Sequence, residues 1–441
     1  MIKFAQLFLS LTILITLHEF GHFFFAKRFK CRVDKFYLFF DFLFPFAGLF
    51  NFALFKKKIG GTEYGLGWFP LGGYVQIAGM VDEQMDKDMI GTEPQPWELR
   101  SKPAWQRLLV MLGGILVNFI LGILIYWMIL FVWGKETIPT SKLKYGIQCD
   151  STALKMGLRD GDQILSVDNQ TVTTLNRVTI NVIMNKAKSI EVDRNGEKIS
   201  IPVSENDISV ILRNLKKSGF ISARTPTEID SVLPGTFAAN AKFKKGDIII
   251  EINKKSTPFY SDFRREIAYH KGKDVGLTVL RNSDTVNLSC KVSDDGTLGF
   301  SPARAKYIPT ETASYSFFGA LSQGFSEGME TLVLNVKQFV VIFTVKDAHK
   351  QVGGFYSMYQ SMNPTWDWHD FWSFTAFLSL VLAFMNFLPI PMLDGGYILF
   401  ILIEMIIRRK VPDKVIYYAN YVGLVFILGL MIYANTDFLR D

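Results

Sequence analysis

Leu17-His18-Glu19-Phe20-Gly21-His22-Phe23 is the stretch that decides how this chain is read. It lies within an apolar run, Phe4 to Ala26, long enough to cross a bilayer as a helix. A secretory leader would end in a small-residue cleavage site, and none follows here. Two histidines four residues apart share one helix face, so both imidazoles can reach one ion. Glu19, directly after the first histidine, is placed to act on a water beside that ion as general base. In a soluble helix two histidines are often ordinary residues. Three ionisable groups inside an apolar span are costly, which makes them a functional site by default.

Two histidines leave tetrahedral zinc short of a third protein ligand. The run Asn386-Phe387-Leu388-Pro389-Ile390-Pro391-Met392-Leu393-Asp394-Gly395-Gly396 offers one. Its prolines remove backbone donors and break a helix. An acid in an apolar block needs a cationic partner. Asp394 is therefore expected to complete a zinc site with His18 and His22; the bland alternative is a helix cap near the membrane surface. At about 1.5 Å per residue the ion would lie roughly 6–12 Å inside the Ala26 end of the first span.

Further apolar runs cover Leu108 to Val132, Phe371 to Leu388 (continuing over Ile398 to Ile407 after the prolines) and Val415 to Tyr433. Four spans place Lys27, Arg28, Lys30 and Arg32, then Lys102 and Arg107, then Arg408, Arg409, Lys410 and Lys414 on one side, which should be cytoplasmic. Residues 135–370 then lie outside the cytoplasm. The net charge of +7 is accounted for by these loop cations, so membrane lipid rather than nucleic acid is the expected partner. Phe325 to Val345, with Lys337 inside it and Lys346 after it, reads as an interfacial helix, with a fifth span as the alternative. Cys31, Cys149 and Cys290 form no metal or disulfide pattern.

The middle of the chain carries a repeat. Gly161-Asp162-Gln163-Ile164-Leu165-Ser166-Val167-Asp168-Asn169 and Gly246-Asp247-Ile248-Ile249-Ile250-Glu251-Ile252-Asn253 share a Gly-Asp, an alternating strand and a turn. Two copies of one small β-rich domain are expected, over 135–215 and 216–305. Their pattern resembles PDZ domains of envelope proteases. Either a peptide-binding role by strand addition or a purely steric one fits. Between the first two spans, Gly60 to Val75 is Gly-rich and alternates toward its end, as a hairpin or strand dipping toward the membrane would; a packed loop is the alternative. The Phe-rich stretch 36–55 carries no pattern that fixes its structure.

Taken together, His18-Glu19-Phe20-Gly21-His22, Gly114-x-x-x-Asn118 and Asn386-x-x-Pro389-x-Pro391-x-Leu393-Asp394-Gly395 resemble the site-2 protease family of intramembrane zinc metalloproteases, in its bacterial RseP-type branch. The resemblance covers essentially the whole chain. It implies a polytopic α-helical membrane protein with four transmembrane helices, a re-entrant β element and two extracytoplasmic PDZ domains. The implied parts are a first helix over 1–34, a loop with the β segment over 35–104, a second helix over 105–134, a linker and interfacial helix over 306–370, and helices over 371–411 and 412–441. It further implies Zn2+ held by His18, His22 and Asp394, Glu19 as catalytic residue, and substrate contacts from Asn386, Gly72, Gly73, Tyr74, Val75 and Asn118. Substrates would be single-span membrane proteins such as anti-sigma factors, or remnant signal peptides, in the bacterial inner membrane. The family often has Pro after the Gly of the second motif, where this chain has Ile115. Two other functions remain open on sequence alone: a membrane-anchored PDZ scaffold, and a zinc hydrolase of a non-peptide substrate.

Overall fold

The computed structural model describes residues 1–43, 50–70, 72–80 and 93–436. Leu71 of the expected membrane-dipping stretch, and residues 44–49 of the Phe-rich one, lie outside these. In chain order the elements are α1 (Ile2–Arg28), β1 (Val33–Leu38), β2 (Ala53–Ile59), β3 (Thr62–Gly67), β4 (Tyr74–Ile77), α2 (Ala104–Val132) and β5 (Lys135–Thr137). Then come β6 (Ile147–Cys149), α3 (Ser151–Met156), β7 (Gln163–Val167), β8 (Gln170–Thr171), α4 (Leu175–Met184), β9 (Ser189–Arg194), β10 (Glu197–Pro202), α5 (Glu205–Ser218) and β11 (Ile221–Ala223). A second series follows: β12 (Thr227–Val232), α6 (Phe237–Asn240), β13 (Ile248–Ile252), β14 (Lys255–Ser256), α7 (Tyr260–Ile267), β15 (Asp274–Arg281), β16 (Asp284–Lys291) and β17 (Phe300–Pro302). The chain ends with α8 (Arg304–Tyr307), β18 (Glu311–Ala313), α9 (Phe317–Thr344), α10 (Phe355–Ser361), α11 (Trp368–Phe387), α12 (Asp394–Ile407) and α13 (Asp413–Asn435).

These elements form two compact units. The first comprises Met1–Gly134, Ser314–Val340 and Val352–Asp441. Among its described residues four helices are long and apolar enough to cross a membrane: α1, α2, α11 and α13. Glycine sets how closely the first two approach. A Cβ on Gly21 would lie 2.5 Å from the Gly113 carbonyl carbon and 2.8 Å from the Gly114 nitrogen, so only hydrogen fits there. The helix α11 stops at Phe387 because Pro389 forces Leu388 into an extended conformation. The chain restarts as α12 at Asp394. Arg107 sits inside α2, where it pairs with the buried Glu404 of α12, rather than in the preceding loop.

Strands β1 to β4 form one sheet in the order β2-β3-β1-β4, with β1 and β3 parallel. Gly60 and Gly61, both at positive φ, make the two-residue turn between β2 and β3. The expected hairpin is thus present but starts earlier, within the Phe-rich stretch, and β4 is a separate edge strand. Phe36 contacts Phe23 and Phe39 contacts Phe8, so the sheet lies along roughly 20 Å of α1. The helix expected to be interfacial is longer than read and rests against two spans. Gly324 and Gly328 let α9 touch α2 at Trp127 and Ile123, and Phe339 meets Phe384 of α11.

The second unit comprises Lys135–Ala313 and Val341–Gln351. The series β6-α3-β7-β8-α4-β9-β10 and β12-α6-β13-β14-α7-β15-β16 repeat the same order, each with its own apolar core. Each copy closes with a strand antiparallel to its first one, β11 on β6 and β17 on β12. The boundary expected between 215 and 216 is therefore misplaced. It would cut α5, whereas β11 ends the first copy at Ala223.

Candidate metal centre

The site is assembled on α1, α2 and the α11–α12 junction. His18 and His22, one turn apart, point to the same side of α1. Their Nε2 atoms are 3.2 Å apart. Asp394, the first residue of α12, brings Oδ2 to 3.2 Å from His18 Nε2 and 3.3 Å from His22 Nε2. Asp394 sits at the junction because the prolines end α11 at Phe387 and the chain restarts as a helix at Asp394.

The surroundings prepare the imidazoles. His22 Nδ1–H donates to the Val110 carbonyl of α2 at 2.8 Å, which leaves the Nε2 lone pair facing the centre. Asn118, fully buried, has its amide nitrogen 3.2 Å from His18 Nδ1, while its Oδ1 is buried without a partner. Turning this amide over presents Oδ1 to an Nδ1–H and satisfies both groups. Asn118 thus stands behind His18, sealed from any substrate, and orients the ring; the expected substrate contact is replaced by this one. Gly114 supplies the space. A Cβ there would lie 2.5 Å from His22 Nε2 and 2.6 Å from His18 Cε1.

A fit to zinc can be tested on two observations. Four ligands at about 2.0–2.1 Å in a tetrahedron are about 3.3–3.4 Å apart, and the three separations here are 3.2, 3.2 and 3.3 Å. Asp394 Oδ2 is also buried with no hydrogen-bond donor assigned to it. Three such acceptors facing one another at this spacing can hold one cation between them. The donor set of two imidazoles and a carboxylate suits zinc and leaves a fourth position open.

The remaining expected residues surround this point unequally. Asn386 places its amide nitrogen 3.4 Å from His18 Nε2. Gly73 abuts α1, where a Cβ would meet Ile15 at 3.0 Å and Glu19 Cγ at 3.6 Å. The Tyr74 and Val75 side chains are buried, Tyr74 stacking on Tyr37 and donating to Asp41. What these residues offer is backbone. The Ala78 N–H bonds the Arg32 carbonyl on the β1 side, so by strand alternation the Val75 N–H points outward. It lies in reach of the Glu19 carboxylate. Gly72 packs on the Phe40 ring.

Comparison with known proteins gives the centre its chemistry. The model of the family described as Peptidase family M50 matches residues 6–430. The chain belongs to this family. It is 27% identical to a putative zinc metalloprotease of Vibrio cholerae serotype O1 over 99% of this chain and 98% of the other. It is 26% identical to Protease RseP of Yersinia pestis and to the regulator of sigma-E protease RseP of Escherichia coli K12, each over 99% of this chain and 98% of the relative. An M50 chain with this centre and four helices able to cross a membrane is an integral membrane zinc metalloprotease of the site-2 type. Neither the scaffold nor the non-peptide hydrolase is favoured by that membership.

Proposed function

We propose that His18, His22 and Asp394 hold the zinc, that Glu19 is the general base, and that the bond cut lies in a membrane-spanning segment of another protein. The observation that carries this reading is the near-equal spacing of the three acceptor atoms, 3.2 to 3.3 Å, within an apolar bundle. Bound zinc supplies a Lewis acid that acidifies water and polarises a peptide carbonyl. Glu19 takes the proton of the attacking water and passes it to the leaving amine. Asn118 and the Val110 carbonyl fix the tautomers that leave both Nε2 lone pairs inward. A substrate helix hides its amides in its own hydrogen bonds, so a short stretch must be extended first. The outward edge of β4, with Val75 N–H next to Glu19, is suited to receive that stretch as an added strand, and Asn386 to hold its carbonyls.

The reading extends to topology. The β1–β4 sheet is a re-entrant element in the cytoplasmic half, consistent with its contacts along α1. The two copies of the second unit are PDZ domains outside the cytoplasm of a bacterial inner membrane. They act as a size filter that admits single-span proteins, such as anti-sigma factors, only after an outer domain is lost. The name of the Escherichia coli relative, regulator of sigma-E protease, supports this substrate class. Deleting residues 140–300 should let untrimmed substrates be cut; intact substrates would refute the filter.

The central test is cleavage of a tagged single-span peptide by the purified chain and by Glu19→Gln, with zinc measured in both. Zinc in both and an activity loss of about 10³-fold in the variant is the expected result. Equal cleavage removes Glu19 from the mechanism.

A further inference from the structure

The helix α13 is an apolar segment with two buried residues, Asn420 and Gly423. Around them it exposes Val422, Val425 and Phe426, as a lipid-facing helix would. An asparagine at such depth is costly unless its amide is fully used. Here it is used on both sides. Asn420 Oδ1 accepts the Met392 N–H at 3.2 Å, and Asn420 Nδ2 donates to the Tyr397 hydroxyl at 3.1 Å. Gly423 lets the same loop come close: a Cβ there would lie 2.6 Å from the Pro391 carbonyl carbon. From the other side Gly396 of α12 approaches Pro391 Cα, where a Cβ would lie 2.6 Å away.

The loop so clasped contains a strained residue. Met392 has φ +80°, a region that side chains bearing a Cβ rarely adopt. Strain of this kind persists only where the surroundings over-determine it, and it clusters at functional sites. Met392 is two residues before Asp394. Its conformation sets where the chain re-enters the helix, and hence where the carboxylate falls relative to the two imidazoles.

We infer that Asn420 is a positioning residue for the metal centre. By capturing the Met392 N–H it holds the left-handed turn that delivers Asp394 to His18 and His22. This couples the last membrane helix to zinc without α13 contributing a ligand. The inference rests on Asp394 being a zinc ligand, as proposed above.

The test is zinc affinity, measured by chelator competition on the full-length protein in lipid nanodiscs. Asn420→Ala should bind zinc about tenfold more weakly, in the range seen when a group that orients a ligand is lost. Glycine adopts positive φ without cost. Met392→Gly should therefore recover most of that loss when added to Asn420→Ala, while changing zinc affinity less than about threefold by itself. A role limited to packing α13 would not be rescued this way. Wild-type affinity in Asn420→Ala, or a double variant that binds zinc no better than Asn420→Ala, overturns the inference. Asp394→Asn, run alongside, reports on the underlying reading separately. Wild-type zinc binding there removes Asp394 from the centre whatever Asn420 does.

Discussion

Asp162, Asp247 and Asp394 all carry carboxylates with little exposure, and their partners differ by unit. In the β-rich unit Asp162 receives Arg194 Nε and Nη2 at 2.7 and 2.8 Å, plus the Arg159 N–H at 2.8 Å. In the second copy Asp247 receives Arg281 Nε and Nη2, both at 2.7 Å, plus the Lys244 N–H at 2.9 Å. The same bidentate lock stands at the same place in both copies. In the helical unit Asp394 turns Oδ2 to two imidazole nitrogens instead. The contrast separates structure from chemistry. A buried carboxylate answered by a fork of donors is a staple. One that faces two imidazole nitrogens at metal-ligand spacing is, on the reading proposed above, part of a cation site.

The sharpest way to break this contrast is to neutralise each carboxylate in turn. Asp394→Asn should weaken zinc binding by about 100-fold or more, beyond the loss of a group that merely orients a ligand. The zinc-free protein should lose little stability, because the carboxylate has two imidazole nitrogens beside it and no arginine fork. Metal titration and thermal unfolding of the zinc-free protein measure the two effects. A large loss of zinc-free stability would make Asp394 a staple like the others.

Backbone groups show the same division. Val75 N–H points out of its sheet toward Glu19 rather than into a ladder. Val75→Pro removes that donor and blocks strand addition at this edge while leaving the inward-facing bonds of β4 in place. Activity on a spanning peptide should fall about 10- to 100-fold, with zinc content unchanged, if two or so hydrogen bonds to the substrate are lost. Full activity would mean that the sheet covers the centre without holding substrate.

Much of the centre was legible because its parts obey local periodicity. His18, Glu19 and His22 announce themselves by helical spacing within an apolar run, and Asp394 by an acid next to two prolines. The four spans followed from length alone. What was not legible depends on which helix meets which. Nothing in the sequence tells that Gly114 leaves room for two imidazoles, since an absent Cβ has meaning only once α1 is docked on α2. Asn118 was read as a substrate contact because its burial behind His18 is a tertiary fact. Asn420 did carry a signal, a lone amide in the apolar run Val415 to Tyr433, but its partner lies 28 residues away in an irregular loop. The Gly-Asp repeat was visible in both copies; the arginines that lock it, 32 and 34 residues on, were not, because strand returns have no fixed length.

Those arginines provide the finest test of the comparison. Burial alone would raise the Asp247 carboxyl, but the Arg281 fork and the Lys244 N–H outweigh it, and the group is held below the usual carboxylate range. A carboxylate that is more acidic when folded than when unfolded adds stability above its unfolded pKa, about 3.9. That stability is lost as the pH falls through the folded value. Asp247→Asn should therefore destabilise the second copy by about 2 kcal/mol at pH 7, the worth of hydrogen bonds to a charged partner. The difference from wild type should shrink as the pH falls below about 4, where the unfolded chain takes up the proton first, and should vanish once the pH is below the folded value. Urea-dependent amide exchange across β13 and β15, referenced to wild type at each pH, reads both quantities. The helical unit should be untouched by the substitution at either pH, because its own Asp394 carboxylate is answered by imidazoles rather than by arginine. A gap between the two proteins as wide at pH 3 as at pH 7 would mean that the introduced amide disturbs packing, and that the fork contributes geometry rather than charge.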